Sequence, residues 1–219
     1  MTTTPPAETG RTPRFGVAAL AAAIVIGLIL GGAIGWLVPK IGAPTDNSVE
    51  AGFARDMTNH HAQAVEMGLI GFRRGEDALV RQYAVDIATG QQAEIGMMGA
   101  WLREWDLPLT STDPAMAWIP HDDRKNLHQL NDGMMPGMAS AEEMTRLRAA
   151  TGRQLDVLFL QLMIRHHLGG VHMIEAVIKH GDDKEVLRSA RTMRSVQDAE
   201  VKNLTAALTR LGGTPLPAN

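Results

Sequence analysis

The sequence predicts an all-α protein: an antiparallel four-helix bundle made of two repeated helical hairpins, preceded by one N-terminal transmembrane helix. Three observations predict it. Residues 15–38 carry no charged side chain, and the chain after them aligns with itself, without a gap, at a shift of 106 positions. No stretch sustains the period-two alternation of a half-buried strand, so no sheet is expected.

The apolar segment is the first element. Its 24 residues would make a helix about 36 Å long, enough to cross a hydrocarbon core of roughly 30 Å with some tilt. A cleaved secretory signal is the rival reading, although the apolar part of a signal usually spans only about 7–15 residues. Arg11 and Arg14 precede the segment, while Lys40 is soon followed by Asp46 and Glu50. The positive-inside bias then makes 1–14 a cytoplasmic tail, 15–38 the anchor, 39–47 a linker and the rest an extracytoplasmic domain. Trp36 suits the aromatic belt at the far interface. The expected location is the plasma membrane, single-pass, with the bundle periplasmic or extracellular, or secreted if the segment is cleaved.

The repeated part follows. Phe53, Met57, His60, His61, Val65 and Met67 fall on Phe159, Met163, His166, His167, Val171 and Met173. Between 50 and 102 there are 15 identities in 53 pairs. Each copy reads as two helices: 48–74 and 77–105, then 153–180 and 183–211. The first helix of each copy ends in basic residues and a glycine (Arg73, Arg74, Gly75; Lys179, His180, Gly181), the pattern of a carboxyl terminus. Acidic residues open the next, Glu76–Asp77 and Asp182–Asp183. A hairpin is too thin to bury its own apolar face, so two would dock as one bundle over 48–211. The hairpins at 48–105 and 153–211 are joined by a crossover at 106–152, and 212–219 is a tail. Pro108, Pro114, Pro120 and Pro136 break the crossover, and Ser140 with Glu143 reads as a capping box starting a short helix.

Composition narrows the function. With no cysteine, disulfide scaffolds, thiolate metal sites and cysteine nucleophiles are excluded. The chain's formal net charge is −3, and after position 40 there are 18 basic and 23 acidic residues, so nucleic acid is not an expected partner. What stands out is 13 methionines beside 8 histidines.

Those residues share one helical face. Glu50, Phe53, Met57, His60, His61, Ala64 and Met67 fall within a stripe of roughly 100° at 100° per residue. Asp156, Phe159, Met163, His166, His167, Gly170 and Met173 repeat it. The small Ala64 and Gly170 leave room beside the imidazoles for a backbone or a guest, and Glu66 and His172 point away. On the partner helices Gln91, Glu94 and Met98 share a face, as do Gln197 and Glu200, and a glutamate can orient an imidazole through its second nitrogen. Methionine is the usual filler of irregular cores. Two histidine pairs, each flanked by methionine, instead point to a soft or borderline metal, above all Cu(I), with Ag(I) as its mimic. A second cluster in the crossover, Gly133-Met134-Met135-Pro136-Gly137-Met138, projects three thioethers from one turn. His121 and His128 are expected at the surface.

These motifs, M-T-N-H-H-A-Q-A-V-E-M, M-I-R-H-H-L-G-G-V-H-M, the G-M-M-P-G-M turn and F-L-Q-L, resemble the ferritin-like "domain of unknown function 305" family over 47–211. The resemblance implies a ferritin-like four-helix bundle, exported or membrane-anchored, and links some members to copper binding and tolerance. Its motif positions here are Met57, His60, His61, Met67, Met163, His166, His167, Met173, Met134, Met135 and Met138. The first copy departs in carrying Ala54 and Asp56 where Leu160 and Leu162 stand, which predicts looser packing at its site.

The favoured function is a non-enzymatic, anchored protein that sequesters Cu(I) or hands it to a partner protein, with a homo-oligomer also open. Two alternatives stand beside it. A buried His/Glu network without metal would make the domain a structural or interaction module. A di-iron or di-manganese oxidase wants Glu-x-x-His pairs, and no glutamate here has a histidine three residues on.

Overall fold

The computed structural model describes residues 16–37, 42–124 and 134–217. It is all-helical, with seven helices and no strand among the described residues. Arg11, Arg14, Lys40, His128 and Gly133 lie outside the described residues. Two compact units divide at Ala43/Pro44.

The first unit contains α1, Val17–Leu37. Its Val17–Gly35 stretch has mean hydropathy 2.6, and none of it is buried. The apolar character goes right round the helix, as in a segment surrounded by lipid, and its length and composition fit a signal anchor or a signal peptide.

The second unit holds α2 (Val49–Arg74), α3 (Ala78–Glu104), α4 (His121–Arg124), α5 (Ala141–Ala149), α6 (Gly152–His180) and α7 (Lys184–Arg210). The four long helices match the ranges expected from the repeat to within one residue at each end. Local chemistry sets those ends. Ser48 accepts from Ala51 N–H to open α2, Asp77 from Leu79 and Val80 to open α3, and Asp183 from Glu185 and Val186 to open α7. Ser140 and Glu143 form the reciprocal capping box of α5. Gly152 starts α6 at φ +56°, a conformation that favours glycine and makes the break after α5.

Within each hairpin the helices run antiparallel. Gly68 of α2 lies against Ala84 and Ala88 of α3, where a side chain would collide with the Ala84 carbonyl. The hairpins meet through α2 and α6, also antiparallel: Glu50 reaches the start of α7 beyond the end of α6, and Gly71 backs onto the Phe159 ring. The two contacts at the hairpin ends are reciprocal. Glu50 Oε1 accepts from Asp182 N–H (2.6 Å) and Asp183 N–H (3.1 Å), while Asp156 accepts from Glu76 N–H (3.1 Å) and Asp77 N–H (2.8 Å). Each repeat thus caps the second helix of the other.

The crossover is fastened along its described length. Asp56 Oδ2 accepts from Met116 N–H (2.6 Å) and Trp118 Nε1–H (2.8 Å), and Trp118 packs edge-on to Phe53. Gly52 makes room for Trp118, whose side chain fills the space a Cβ would take. Looser packing around the first copy is therefore not what the structure has. Ala54 and Met57 are fully buried, and Asp56 replaces an apolar residue because it anchors the crossover. Further along, Gln63 exchanges two hydrogen bonds with the Ala139 backbone (2.7 and 2.9 Å), and Arg165 pairs with Glu143. Residues 212–217 run back over α6, where Gln161 donates to the Thr214 carbonyl and Leu216 packs on the core.

Candidate metal centre

The two histidine pairs sit midway along α2 and α6, between two apolar clusters. Met57, Met135 and Met173 belong to one cluster with Met138 packed on it, and Met67 and Met163 belong to the other. Met134 is half-buried at the start of the turn. All four imidazoles are at most 1% exposed. His60 and His166, from different repeats, lie against each other with ring centroids 3.8 Å apart and planes inclined by 34°. Within each pair the rings are 6.3 Å apart. The contact between copies is thus closer than the contact within either.

Each ring is held by its Nε2. His61 donates to Glu94 Oε2 (2.8 Å) and His167 to Glu200 Oε2 (2.7 Å), the same bond in both repeats. His60 donates to the Pro136 carbonyl (3.0 Å) and His166 to the His60 carbonyl (3.0 Å). All four partners are acceptors only, so each Nε2 carries the proton and each Nδ1 presents a bare lone pair. All four Nδ1 atoms are buried without a hydrogen-bond partner, as are Oε1 of Gln91 and Gln197. Buried polar atoms are normally satisfied, so these six orphans set the region apart from the rest of the core.

Electrostatics keep the two facing rings, His60 and His166, neutral. Burial, reinforced by the neighbouring His61, lowers the pKa of His60 to about 3. Burial and the adjacent His60 push His166 well below the usual histidine range. Glu94 and Glu200 are half-buried and reach solvent, so the paired carboxylates line the approaches to the inner rings.

The turn covers the centre. Gly137, at φ +78°, rests on the α6 backbone at Arg165–His166, and Gly169 is bare because the Pro136 carbonyl occupies the space of its Cβ. The room expected beside Gly170 is filled: the His60 ring and the Gln197 amide stand there. Glu66 pairs with Arg148 on the outside, and His121 is exposed. Among the described residues no three His, Asp or Glu side chains gather as a ready-made ligand group, so the donors at hand are single imidazole nitrogens and thioethers. Residues 50–208 match the family model "Domain of unknown function (DUF305)".

The chain belongs to the DUF305 family. Among solved structures, it resembles a DUF305 protein from Streptomyces coelicolor at 40% identity and a TM-score of 0.70, with 79% of this chain and 99% of that one covered. A DUF305 fragment from Deinococcus radiodurans is 30% identical, with TM-score 0.60 and coverage of 74% and 96%. CopM in its Cu(I)-bound form is 21% identical over 78% of this chain and 99% of that chain, with TM-score 0.57. No curated protein matches the chain. Several residues that build the surroundings were not singled out from the sequence: Gln63 and Trp118, which help seat the crossover, and Met116 and Met193; Asp56 was noticed, but as a packing defect and not as the crossover's anchor. A cue for Met193 was present, since it stands 106 positions after Ile87 and breaks the repeat.

Proposed function

We propose that this DUF305 protein is a non-enzymatic metal binder that takes Cu(I), with Ag(I) as its mimic, on an extracytoplasmic ferritin-like four-helix bundle tethered by α1. The observation that carries the reading is the set of four buried imidazoles with bare, unpartnered Nδ1 atoms and Nε2 atoms already engaged. A neutral imidazole of this tautomer is a ready metal ligand, and its second nitrogen is oriented by a hydrogen bond, as at known metal sites. Thioethers beside imidazoles select a soft monovalent ion over harder divalent ones. The residues we assign to the metal are His60, His61, His166 and His167 with Met57, Met67, Met163 and Met173, and Met134, Met135 and Met138 of the turn. Glu94 and Glu200 orient His61 and His167, and Gln91 and Gln197 complete the polar lining. CopM is bound to Cu(I) in one structure and to Cu(II) in another, which supports copper as the metal. Its role would be to sequester the ion or pass it to a partner protein.

The competing reading is a metal-free polar network. It is favoured by the lack of a preformed three-ligand group among the described residues. An anaerobic Cu(I) titration of the purified chain in detergent, against a competing chelator, separates the two. The expected result is tight, saturable binding that drops at least tenfold in the H166A/H167A double variant while the helical circular dichroism is kept. Equal affinity in the variant would overturn the site, and thermal stability indifferent to strict metal removal would favour the network.

A further inference from the structure

The methionines are distributed unevenly between the two ends of the helical unit, and the repeat makes the unevenness measurable. The His61–Glu94 contact sets the register of α2 on α3, so Met57, one turn before His61, lies level with Met98, one turn after Glu94. The His167–Glu200 contact likewise brings Met173 level with Met193. Glu50, seven residues before Met57, reaches Gly181, eight residues after Met173, so the two levels coincide across α2 and α6. Each of the four long helices therefore gives one thioether to a single layer. All four belong to one core cluster and are at most 1% exposed.

The repeat supplies the comparison at the opposite end. There the equivalent layer consists of Met163, Leu204, Met67 and Ile87, all in the other cluster. Leu204 stands where the first layer has Met98, and Ile87 where it has Met193. Branched aliphatic residues thus fill this position in the same fold, so packing alone does not call for methionine. The crossover adds two thioethers to the methionine side, against one, Met144, in the other cluster. The two are Met135 and Met116, which is fully buried at φ +65°. A non-glycine residue in the left-handed region is strained and persists where the surroundings enforce it. Here Asp56 enforces it, by accepting the Met116 N–H.

We propose that Met57, Met98, Met173 and Met193, with Met116 and Met135 closing the layer from the crossover, form a thioether-only site for one soft monovalent cation, so that Met57, Met135 and Met173 serve this second ion and leave the imidazoles with Met67, Met163, Met134 and Met138. It deepens the soft-metal reading above and shares its choice of ion. Six neutral sulfur donors in a buried layer suit Cu(I) or Ag(I) and give nothing to Zn(II), which prefers nitrogen, oxygen or thiolate.

The test imports the opposite layer. The full chain in detergent and its M98L/M193I variant, volume-conserving swaps that a core tolerates, are loaded with Ag(I), desalted and assayed for bound silver. M98L/M193I is expected to retain one Ag(I) fewer per chain than the parent, and H166A/H167A is expected to keep that ion with only sulfur in its first shell by silver K-edge absorption. Met116→Leu, outside the long helices, is expected to weaken the same ion. Equal silver in M98L/M193I and the parent, no silver in the parent, or nitrogen in the shell of the ion kept by H166A/H167A would each overturn the proposal. Loss in M98L/M193I beside unchanged Cu(I) affinity in H166A/H167A would uphold the layer and overturn the imidazole site; the opposite pattern would do the reverse.

Discussion

His60 and His166 are neutral in the folded chain because burial and the neighbouring imidazoles disfavour the charged ring. In the unfolded chain each titrates near its ordinary value of 6.5. Below that pH the unfolded chain binds protons that the folded chain refuses. Stability of the metal-free protein therefore falls as pH drops from 6.5, by up to roughly 1.4 kcal/mol per pH unit for each ring. Glu50 adds to the loss at lower pH: burial pushes its carboxyl up, but hydrogen bonds from Asp182 and Asp183 N–H outweigh it and hold the group below its ordinary value. Asp56, raised by burial, works in the opposite sense. Urea midpoints measured at about pH 7 and about pH 5.5 check the histidine part, since between them an ordinary carboxylate stays ionised. The midpoint is expected to be lower at the acid value, and an unchanged one would mean that water reaches the rings. The shared face of the histidines and the facing glutamates was legible in the sequence from helical periodicity alone. Which nitrogen carries the proton was not, because the Pro136 and His60 carbonyls that decide it come from distant backbone.

At the scale of elements, the four long helices were readable from signals at most of their ends: a serine or carboxylate opens α2, α3 and α7, basic residues and a glycine close α2 and α6, and a 106-residue echo repeats much of the pattern. The path of the crossover was not readable. Proline and glycine announce turns, but where 134–139 lands depends on Gln63 gripping Ala139 and on two glycines letting backbones touch. That contact yields a prediction. In Gly169→Ala the new methyl meets the Pro136 carbonyl, so the turn must lift from α6. Overpacking of this kind costs about 1–3 kcal/mol. Urea unfolding of the variant should show that loss with helix content unchanged, and the Pro136 bond to His60 should be lost, seen as a shifted His60 ring resonance. A variant as stable as the parent would show that the turn is not pressed onto the helix. The reciprocal caps by Glu50 and Asp156 belong to the same scale, and they explain why carboxylates recur at the edge of an otherwise apolar stripe.

At the scale of the whole molecule, the chain joins two units of different physical character, one helix apolar on every side and one helical unit with a net acidic sequence. If α1 is retained as an anchor, the full chain expressed in a bacterium is expected to sediment with membranes and to be released by detergent but not by alkaline carbonate. A soluble product shortened past position 38 would instead identify a cleaved signal. Such chemistry is not written in composition, because an anchor and a signal share the same apolar core. The two methionine layers carry a last consequence. A duplicated hairpin begins with two interchangeable ends, and here Leu204 and Ile87 stand at one while Met98 and Met193 stand at the other. Divergence between the copies has given a scaffold built from two like halves two unlike ends, which can no longer be exchanged one for the other.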